Sequence, residues 1–221
     1  MPAGSATMSW KPTRRPVRSG MFTGIITDVG TVRAVRAEGA GRDRRFEIAT
    51  KFDMSGVAIG ASIACSGPCL TVVEKGAGWF AVEASAETLA RTTLGEWGAG
   101  TPVNLERSLA AGDEIGGHLV SGHVDAVVRV LARQEEGGSI RFEIELPPAL
   151  ASYVAAKGSV SLEGVSLTVN DVQPGRFGIN IISHTAANTT LGAMDAGRRL
   201  NMEVDMLARY VERQLAARLG G

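Results

Sequence analysis

Residues 62–106 open with SIACSGPCLTVVEKGAGWF, and residues 159–203 repeat them without a gap, opening with SVSLEGVSLTVNDVQPGRF. The offset is 97 residues throughout, and 17 of the 45 aligned positions are identical. A repeat unit of about 100 residues is too long for a solenoid, so each copy is expected to form a small domain with its own core. Two similar domains present two similar surfaces, which suggests two similar ligands.

Apolar and polar residues alternate in both copies, which is typical of strands with one buried face. Phe46 and Ile48 belong to such a run in the first copy, and residues 140–146 form one in the second. Glycine-rich segments such as residues 76–78 separate the runs. We therefore predict an all-β fold of two tandem six-stranded antiparallel Greek-key barrels, related by a pseudo-two-fold duplication. Closure of each barrel would remove the exposed sheet edges.

A few short helices accompany the predicted strands. Proline in a first turn favours a helix from Pro147 to Lys157, and residues 87–94 and 184–191 are interpreted as helical caps. After Asp205 the apolar residues recur at helical spacing, which predicts a C-terminal amphipathic helix over residues 206–221. The residues alone leave open whether this helix packs on its own barrel or pairs with copies of itself.

The expected organisation has four parts. Residues 1–20 are basic and contain three prolines, so they are interpreted as a disordered extension or an over-long start, with Met21 as the functional start. The two barrels are expected over residues 21–116 and 117–205. An oligomerisation helix then covers residues 206–221.

Composition excludes several classes of function. The net charge is zero, so bulk electrostatics give no sign of a nucleic-acid partner. No stretch approaches the roughly 20 apolar residues of a membrane span. Cys65 and Cys69 are too few for a disulfide scaffold and, like the three histidines, lack convincing metal-ligand spacing. We expect a cytoplasmic protein without a metal site.

The outer wall of each predicted barrel carries a matched pair of small polar residues. Residues 69–72 alternate polar and apolar, and so do residues 166–169. Successive strand residues point to opposite faces, so if the apolar pair faces the core, the polar pair faces outward. The outward pairs are Cys69 with Thr71 and Ser166 with Thr168. Small uncharged side chains on a wall suit a ligand that lies flat against it.

The two copies differ where chemistry could differ. Cys69 matches Ser166, Gly60 matches Lys157, Ser108 matches Asp205, and Ile25 corresponds loosely to His123. The second copy has gained a lysine, a histidine and a carboxylate. This pattern predicts two sites with similar recognition but unequal acid-base groups.

Four segments carry a resemblance to a known family. They are MFTGII at residues 21–26, SGPCLTV at 66–72, DEIGGHLVSGH at 113–123 and GVSLTV at 164–169. Through these segments the chain resembles riboflavin synthases of the alpha-subunit type. The resemblance extends from Met21 to about Leu215. It departs from them at Ser66, where asparagine is frequent, at Pro68, and in the cap at residues 184–188. These departures concern the ligand contacts.

The resemblance implies a pair of six-stranded barrels and a C-terminal helix that assembles a homotrimer. Enzymes of this family are transferases that use no metal or redox cofactor. They move a four-carbon unit between two molecules of 6,7-dimethyl-8-ribityllumazine, giving riboflavin and 5-amino-6-ribitylamino-pyrimidinedione. The implied active site binds both molecules between the N-terminal barrel of one subunit and the C-terminal barrel of a neighbour. Association with lumazine synthase stays open.

Matching positions carry the family's functional residues into this sequence. The implied catalytic residues are Cys69, His123, Ser166 and Asp205. The implied substrate-binding residues are Phe22, Thr23, Gly24, Ile25, Ser62, Thr71, Glu87, Thr88, Lys157, Thr168, Asn180, Ile182 and Thr185.

The mechanism expected from this resemblance begins with loss of a proton from the acidic C7 methyl group of one substrate. His123 or Asp205 would aid proton transfer, while Ser166 and Cys69 would position water or add transiently to the acceptor ring. Two alternatives belong to other classes. One is an antenna-type protein that binds a lumazine or flavin without turnover, and the other is a structural barrel pair with no ligand.

Overall fold

The computed structural model describes residues 20–38 and 43–219. Most of the predicted extension therefore lies outside the described residues. The strands of the first barrel are β1 (Asp28–Glu38), β2 (Asp43–Ala49), β3 (Ser62–Cys65), β4 (Cys69–Gly76), β5 (Trp79–Ala84) and β6 (Pro102–Arg107). Those of the second are β7 (Ala126–Glu136), β8 (Ser139–Glu145), β9 (Ser159–Leu162), β10 (Val165–Gln173), β11 (Arg176–Ile182) and β12 (Arg199–Val204).

Both sets of strands close into antiparallel barrels. The first runs in the order β1-β2-β5-β4-β3-β6, and the second repeats this order with β7-β8-β11-β10-β9-β12. Pairing of β1 with β6 and of β7 with β12 closes each ring. The predicted fold class is confirmed.

Each barrel encloses its own core. Phe46 and Phe80 are fully buried in the first, and Phe142 and Phe177 occupy the equivalent cluster of the second. These residues lie on the apolar side of the alternating runs, so the period of two in the sequence sets which face is buried.

Two asparagines lock the barrels together across the pseudo-two-fold axis. Asn104 Nδ2 donates to the carbonyl of Glu163 at 2.9 Å, and its Oδ1 accepts from the amide of Thr190 at 2.8 Å. Asn201, 97 residues later, donates to the carbonyl of Ser66 and accepts from the amide of Thr93, both at 2.8 Å. The duplication is therefore reciprocal at the interface as well as within each barrel.

The short helices follow the repeat. Helix α1 (Ala86–Arg91) leads into a 3-10 turn at Thr93–Glu96, and helix α2 (Ser183–Asn188) leads into one at Thr190–Ala193, so both caps are confirmed. The predicted helix from Pro147 to Lys157 is wrong in type and length. It is a 3-10 helix over Pro148–Tyr153, because the chain must turn through a left-handed Lys157 before entering β9.

Helix α3 (Met206–Leu219) is tied to the second barrel at its first turn. Arg209 forms two hydrogen bonds with the Asp125 carboxylate, at 2.9 and 3.0 Å. Beyond that contact its large apolar side chains are mostly exposed, namely Leu207, Tyr210, Val211 and Leu215. None of the helices in the described ranges is long and apolar enough to cross a membrane.

Candidate functional site

The outer walls have the side-chain alternation that the sequence predicts. On β4, Leu70 and Val72 are 5% and 0% exposed, while Cys69 is partly exposed and Thr71 is exposed. On β10, Leu167 and Val169 are buried, and the outward pair is Ser166 with Thr168. Ser62 on β3 lies opposite Thr71, and Ser159 on β9 lies opposite Thr168. Each wall thus carries a patch of small polar groups.

A glycine loop from the opposite half of the chain completes each wall. The Ser166 amide donates to the carbonyl of Gly24 at 2.8 Å, and the Cys69 amide donates to the carbonyl of Gly122 at 2.9 Å. Both glycines have positive φ, +75° and +76°. A Cβ on Gly24 would lie 2.6 Å from the Ser166 amide nitrogen, and one on Gly122 would lie 2.5 Å from Cys69 Cβ. Only glycine allows this approach.

A buried glutamate holds each loop. Glu106 accepts from the amide and hydroxyl of Thr23 at 2.7 and 2.8 Å, and from the amide of Gly24 at 2.9 Å. Glu203, its repeat counterpart, accepts from Ser121 and from the amides of Gly122 and His123. Burial raises the pKa of the Glu106 carboxyl, and the bonds from Thr23 and Gly24 oppose that rise.

The first wall borders a cavity of about 250 Å³. Four of the expected site residues line it: Cys69, Glu87, Thr88 and His123. Burial raises the pKa of the Cys69 thiol, while a hydrogen bond with Ser62 lowers it and the charge of Glu203 raises it further. The thiol is therefore protonated at neutral pH, which suits hydrogen bonding better than direct nucleophilic attack.

The second wall carries a strained lysine. Lys157 has φ +68°, a conformation that non-glycine residues rarely adopt, and its amide donates to the carbonyl of Val169 at 2.8 Å. Its counterpart Gly60, at φ +85°, makes the same bond to Val72. The second barrel thus keeps a side chain where glycine would fit without strain. Such outliers are concentrated at functional sites.

The other expected residues of the second wall lie on β11 and α2. Asn180 and Ile182 are exposed on β11, and Thr185 lies in the first turn of α2. Ile182 is 63% and Ile25 is 45% exposed, which makes both available for apolar contact.

Two of the expected substrate-binding residues have buried side chains. Phe22 is fully buried in a small cluster with Ala64 and Val120 between the barrels, so its ring supports the walls from behind and is unavailable to a ligand. Thr23 is 5% exposed and its hydroxyl already donates to Glu106, so it anchors the loop.

The four expected catalytic residues divide between the walls. Cys69 and His123 line the first cavity, and Ser166 lies on the second wall. Asp205 caps helix α3, where its Oδ1 accepts from the amide of Leu207 at 2.9 Å.

Sequence reasoning missed His118 and Ser159. His118 Nδ1 lies 2.7 Å from Ser166 Oγ, and the Asp205 carboxylate acts electrostatically on its imidazole. No sequence signal pointed to this contact, because His118 and Ser166 lie 48 residues apart in the chain. Ser159 was available from the repeat, because it stands 97 residues after Ser62.

Two closed barrels with matched polar outer walls, each completed by a loop from the other half, define a duplicated ligand-binding β-barrel protein. The family profile "Lumazine binding domain" matches residues 23–108 and 121–205. The chain belongs to the riboflavin synthase family of lumazine-binding proteins.

Curated relatives support this membership over most of the chain. A riboflavin synthase from Brucella abortus (strain 2308) is 50% identical over 198 residues, covering 87% of this chain and 97% of that protein. One from Photobacterium phosphoreum is 42% identical, covering 88% and 89%, and one from Bacillus subtilis (strain 168) is 35% identical, covering 88% and 90%.

Solved structures support the fold. LumP complexed with 6,7-dimethyl-8-(1'-D-ribityl) lumazine has a TM-score of 0.72 and 22% identity, covering 83% of this chain and 98% of that chain. LumP complexed with riboflavin has a TM-score of 0.74 and 23% identity at the same coverage. At these identities the likeness concerns the fold alone.

Proposed function

We propose that this protein is a riboflavin synthase. It takes two molecules of 6,7-dimethyl-8-ribityllumazine and transfers a four-carbon unit from one to the other, releasing riboflavin and 5-amino-6-ribitylamino-pyrimidinedione. The observation that carries the proposal is the pair of matched polar walls, because a dismutation of one compound needs two similar binding surfaces. Their unequal acid-base groups fit a reaction in which the two molecules play different parts.

Each wall would hold one substrate through small groups. Thr71 and Ser62 on the first wall, and Thr168 on the second, offer hydroxyls to ring carbonyls and ribityl hydroxyls. Glu87 and Thr88 would extend the first site, and Lys157, Asn180, Ile182 and Thr185 the second. Holding two flat rings in one orientation supplies much of the rate, because it removes entropy from the barrier before reaction.

The reaction would then begin with removal of a proton from the donor substrate. The C7 methyl group of the donor is acidic because its carbanion delocalises into the ring, so a nearby acceptor can remove its proton. His123 and Asp205 are the candidates for this role. Ser166 and Cys69 would position water or add transiently to the acceptor ring.

We propose a homotrimer with active sites between subunits. The Cys69 and Ser166 walls face outward on different barrels of one chain, so two stacked substrates need the walls of two chains. The exposed apolar side chains of α3, such as Tyr210 and Val211, supply a surface for assembly. A cytoplasmic location is proposed because both cysteines are free thiols. Association with lumazine synthase can be tested by co-sedimentation.

The test is an assay of the purified protein with 6,7-dimethyl-8-ribityllumazine as the only substrate, with and without a chelator. We expect one riboflavin for every two lumazines consumed, at a rate that the chelator leaves unchanged. Tight binding without product would replace this proposal with an antenna-type binding protein. If the protein neither binds lumazine nor forms riboflavin, the remaining interpretation is a structural barrel pair without a ligand.

A further inference from the structure

His118 lies beside the hydroxyl of Ser166 on the second wall. Its Nδ1 lies 2.7 Å from the Ser166 hydroxyl, which is within hydrogen-bonding distance. The residue is only partly exposed, and its backbone amide donates to the carbonyl of Thr23 at 3.2 Å. The imidazole is therefore fixed to the same loop that completes the second wall.

The surroundings of Ser166 restrict its hydroxyl. The backbone amide is held by the Gly24 carbonyl, and the space beside its Cβ is so tight that a Cβ on Gly117 would come within 2.8 Å of Ser166 Oγ. Gly117 and His118 are adjacent in the chain. The loop that presents the imidazole thus also packs against the hydroxyl, which keeps the two groups together.

The other nitrogen of the imidazole is buried without a hydrogen-bond partner among the described residues. A neutral imidazole has one donor and one acceptor nitrogen. Burial lowers the pKa of His118, and the Asp205 carboxylate at the start of α3 opposes this effect. The ring is therefore neutral at neutral pH, so one of its two nitrogens is an acceptor.

The first wall is organised differently. Cys69 matches Ser166 in the repeat, but the partner of its thiol is the hydroxyl of Ser62, with which it shares a hydrogen bond. The glycine loops align Gly24 with Gly122. In this alignment the counterpart of His118 in the first repeat is Gly20, so the first repeat has no matching histidine. The hydroxyl–imidazole pair is thus specific to the second wall and is not a by-product of the duplication.

We propose that His118 is the acid-base partner of Ser166, with Nδ1 taking the hydroxyl proton and Nε2 carrying the resting proton. This inference rests on the proposed riboflavin synthase activity. As Ser166 Oγ forms a bond to an electron-poor ring carbon of the bound lumazine, its proton passes to Nδ1. The displaced π pair moves onto a conjugated ring nitrogen, which leaves a ring anion beside an imidazolium.

The reverse step expels Oγ and returns the proton to it. The charge of Asp205 stabilises the transient imidazolium, which gives that carboxylate an electrostatic part in the same step. His118 therefore acts on the reacting atoms through a hydroxyl that touches them, as a histidine does in other hydroxyl-nucleophile pairs.

The first experiment compares His118→Asn and His118→Ala with the parent protein. Asparagine can still hydrogen-bond the Ser166 hydroxyl but cannot accept its proton, so it separates positioning from proton transfer. We expect kcat to fall about 100-fold or more in both variants, with lumazine binding changed by less than about threefold. Adding Ser166→Ala should cause little further loss, because residues that act as a unit are not additive.

The pH profile gives a second reading. Activity of the parent should fall as pH drops through the lowered pKa of His118, and this acid limb should disappear in His118→Asn. Full activity of His118→Asn with an unchanged acid limb would overturn the inference while leaving the synthase activity intact. A parent protein that makes no riboflavin would instead overturn the proposed function itself.

A third measurement needs no variant. In ¹⁵N NMR of histidine-labelled parent protein, His118 should show a protonated Nε2 and an unprotonated Nδ1 at neutral pH. A proton on Nδ1 in the resting protein would overturn the inference, even where the variants failed to fold.

Discussion

The two barrels share a backbone plan but differ in the groups placed on it. Glu106 and Glu203 hold equivalent loops, and Asn104 and Asn201 make equivalent bonds across the interface. The walls, in contrast, carry a partly exposed thiol on one side and a hydroxyl with an imidazole on the other. The two halves thus share the hydrogen bonds that hold the fold and differ in the side chains that face outward.

The largest effect on stability and activity is expected at Gly24 and Gly122, where each glycine loop packs against the opposite wall. Gly24→Ala and Gly122→Ala both place a Cβ within 2.6 Å of the opposite wall, at positive φ. Each should lower the free energy of unfolding by on the order of 3 kcal/mol or more and abolish turnover.

Urea denaturation and the lumazine assay measure both quantities. Gly112→Ala is the matched control, because its φ is +96° and nothing lies within 4 Å of the added Cβ. It should lose about 1–2 kcal/mol and remain active. A harmless change at one crossing alone would mean that the two loops are not equivalent.

The next effect concerns Asp205, whose counterpart in the first barrel is Ser108. Asp205→Asn keeps a side chain that can cap α3 but removes the charge, so we expect turnover to fall about 100-fold with little change in stability. Asp53→Asn is the control, since Asp53 caps a 3-10 helix of the first barrel at Met54–Gly56. Comparable kcat values for the two variants in the lumazine assay would refute a catalytic role for Asp205.

Glu163 should make the second barrel sensitive to pH. Burial raises its pKa from 4.5 to about 7, whereas its counterpart Ser66 is neutral. Between these values the folded state holds a proton that the unfolded state has lost. The stabilisation is therefore complete below pH 4.5 and is lost as pH rises through 7.

Glu163→Gln should flatten this part of the stability profile, which amounts to roughly 3 kcal/mol. Unfolding in urea at several pH values between 4 and 8 measures it, with the exposed Glu136→Gln as control. Parallel profiles for Glu163→Gln and the parent would show that the carboxyl stays ionised when folded.

The smallest effect should come from Lys157→Gly, which makes the second wall resemble the first at Gly60. Removing a left-handed lysine relieves strain, although glycine adds entropy to the unfolded chain, so stability should rise by about 1 kcal/mol or less. Lumazine binding should weaken, as a titration would show. Gly60→Ala, which introduces strain at the equivalent turn, should do the opposite to stability.

Much of this architecture was predictable because the repeat is gapless. A constant offset fixes equivalent strands, and the period of two fixed the outward placement of Thr71 and Thr168. The crossing of the loops was not predictable, since Gly24 and Ser166 are distant in the chain and no local pattern encodes their contact. The contact between His118 and Ser166 was not predictable for the same reason. The prediction of a helix from Pro147 to Lys157 was wrong because helix propensity carries no information about the turn at Lys157.

The exchange of glycine loops has a consequence for how such a chain could arise. The leading segment of each half packs on the barrel of the other half. A symmetric antiparallel β-bridge between Phe22 and Val120 lies at the centre of this exchange. A single-barrel ancestor with that segment would have been incomplete alone and would have formed a dimer with exchanged arms. Fusion of two such genes would have kept the dimer as one polypeptide, free to let its two halves diverge.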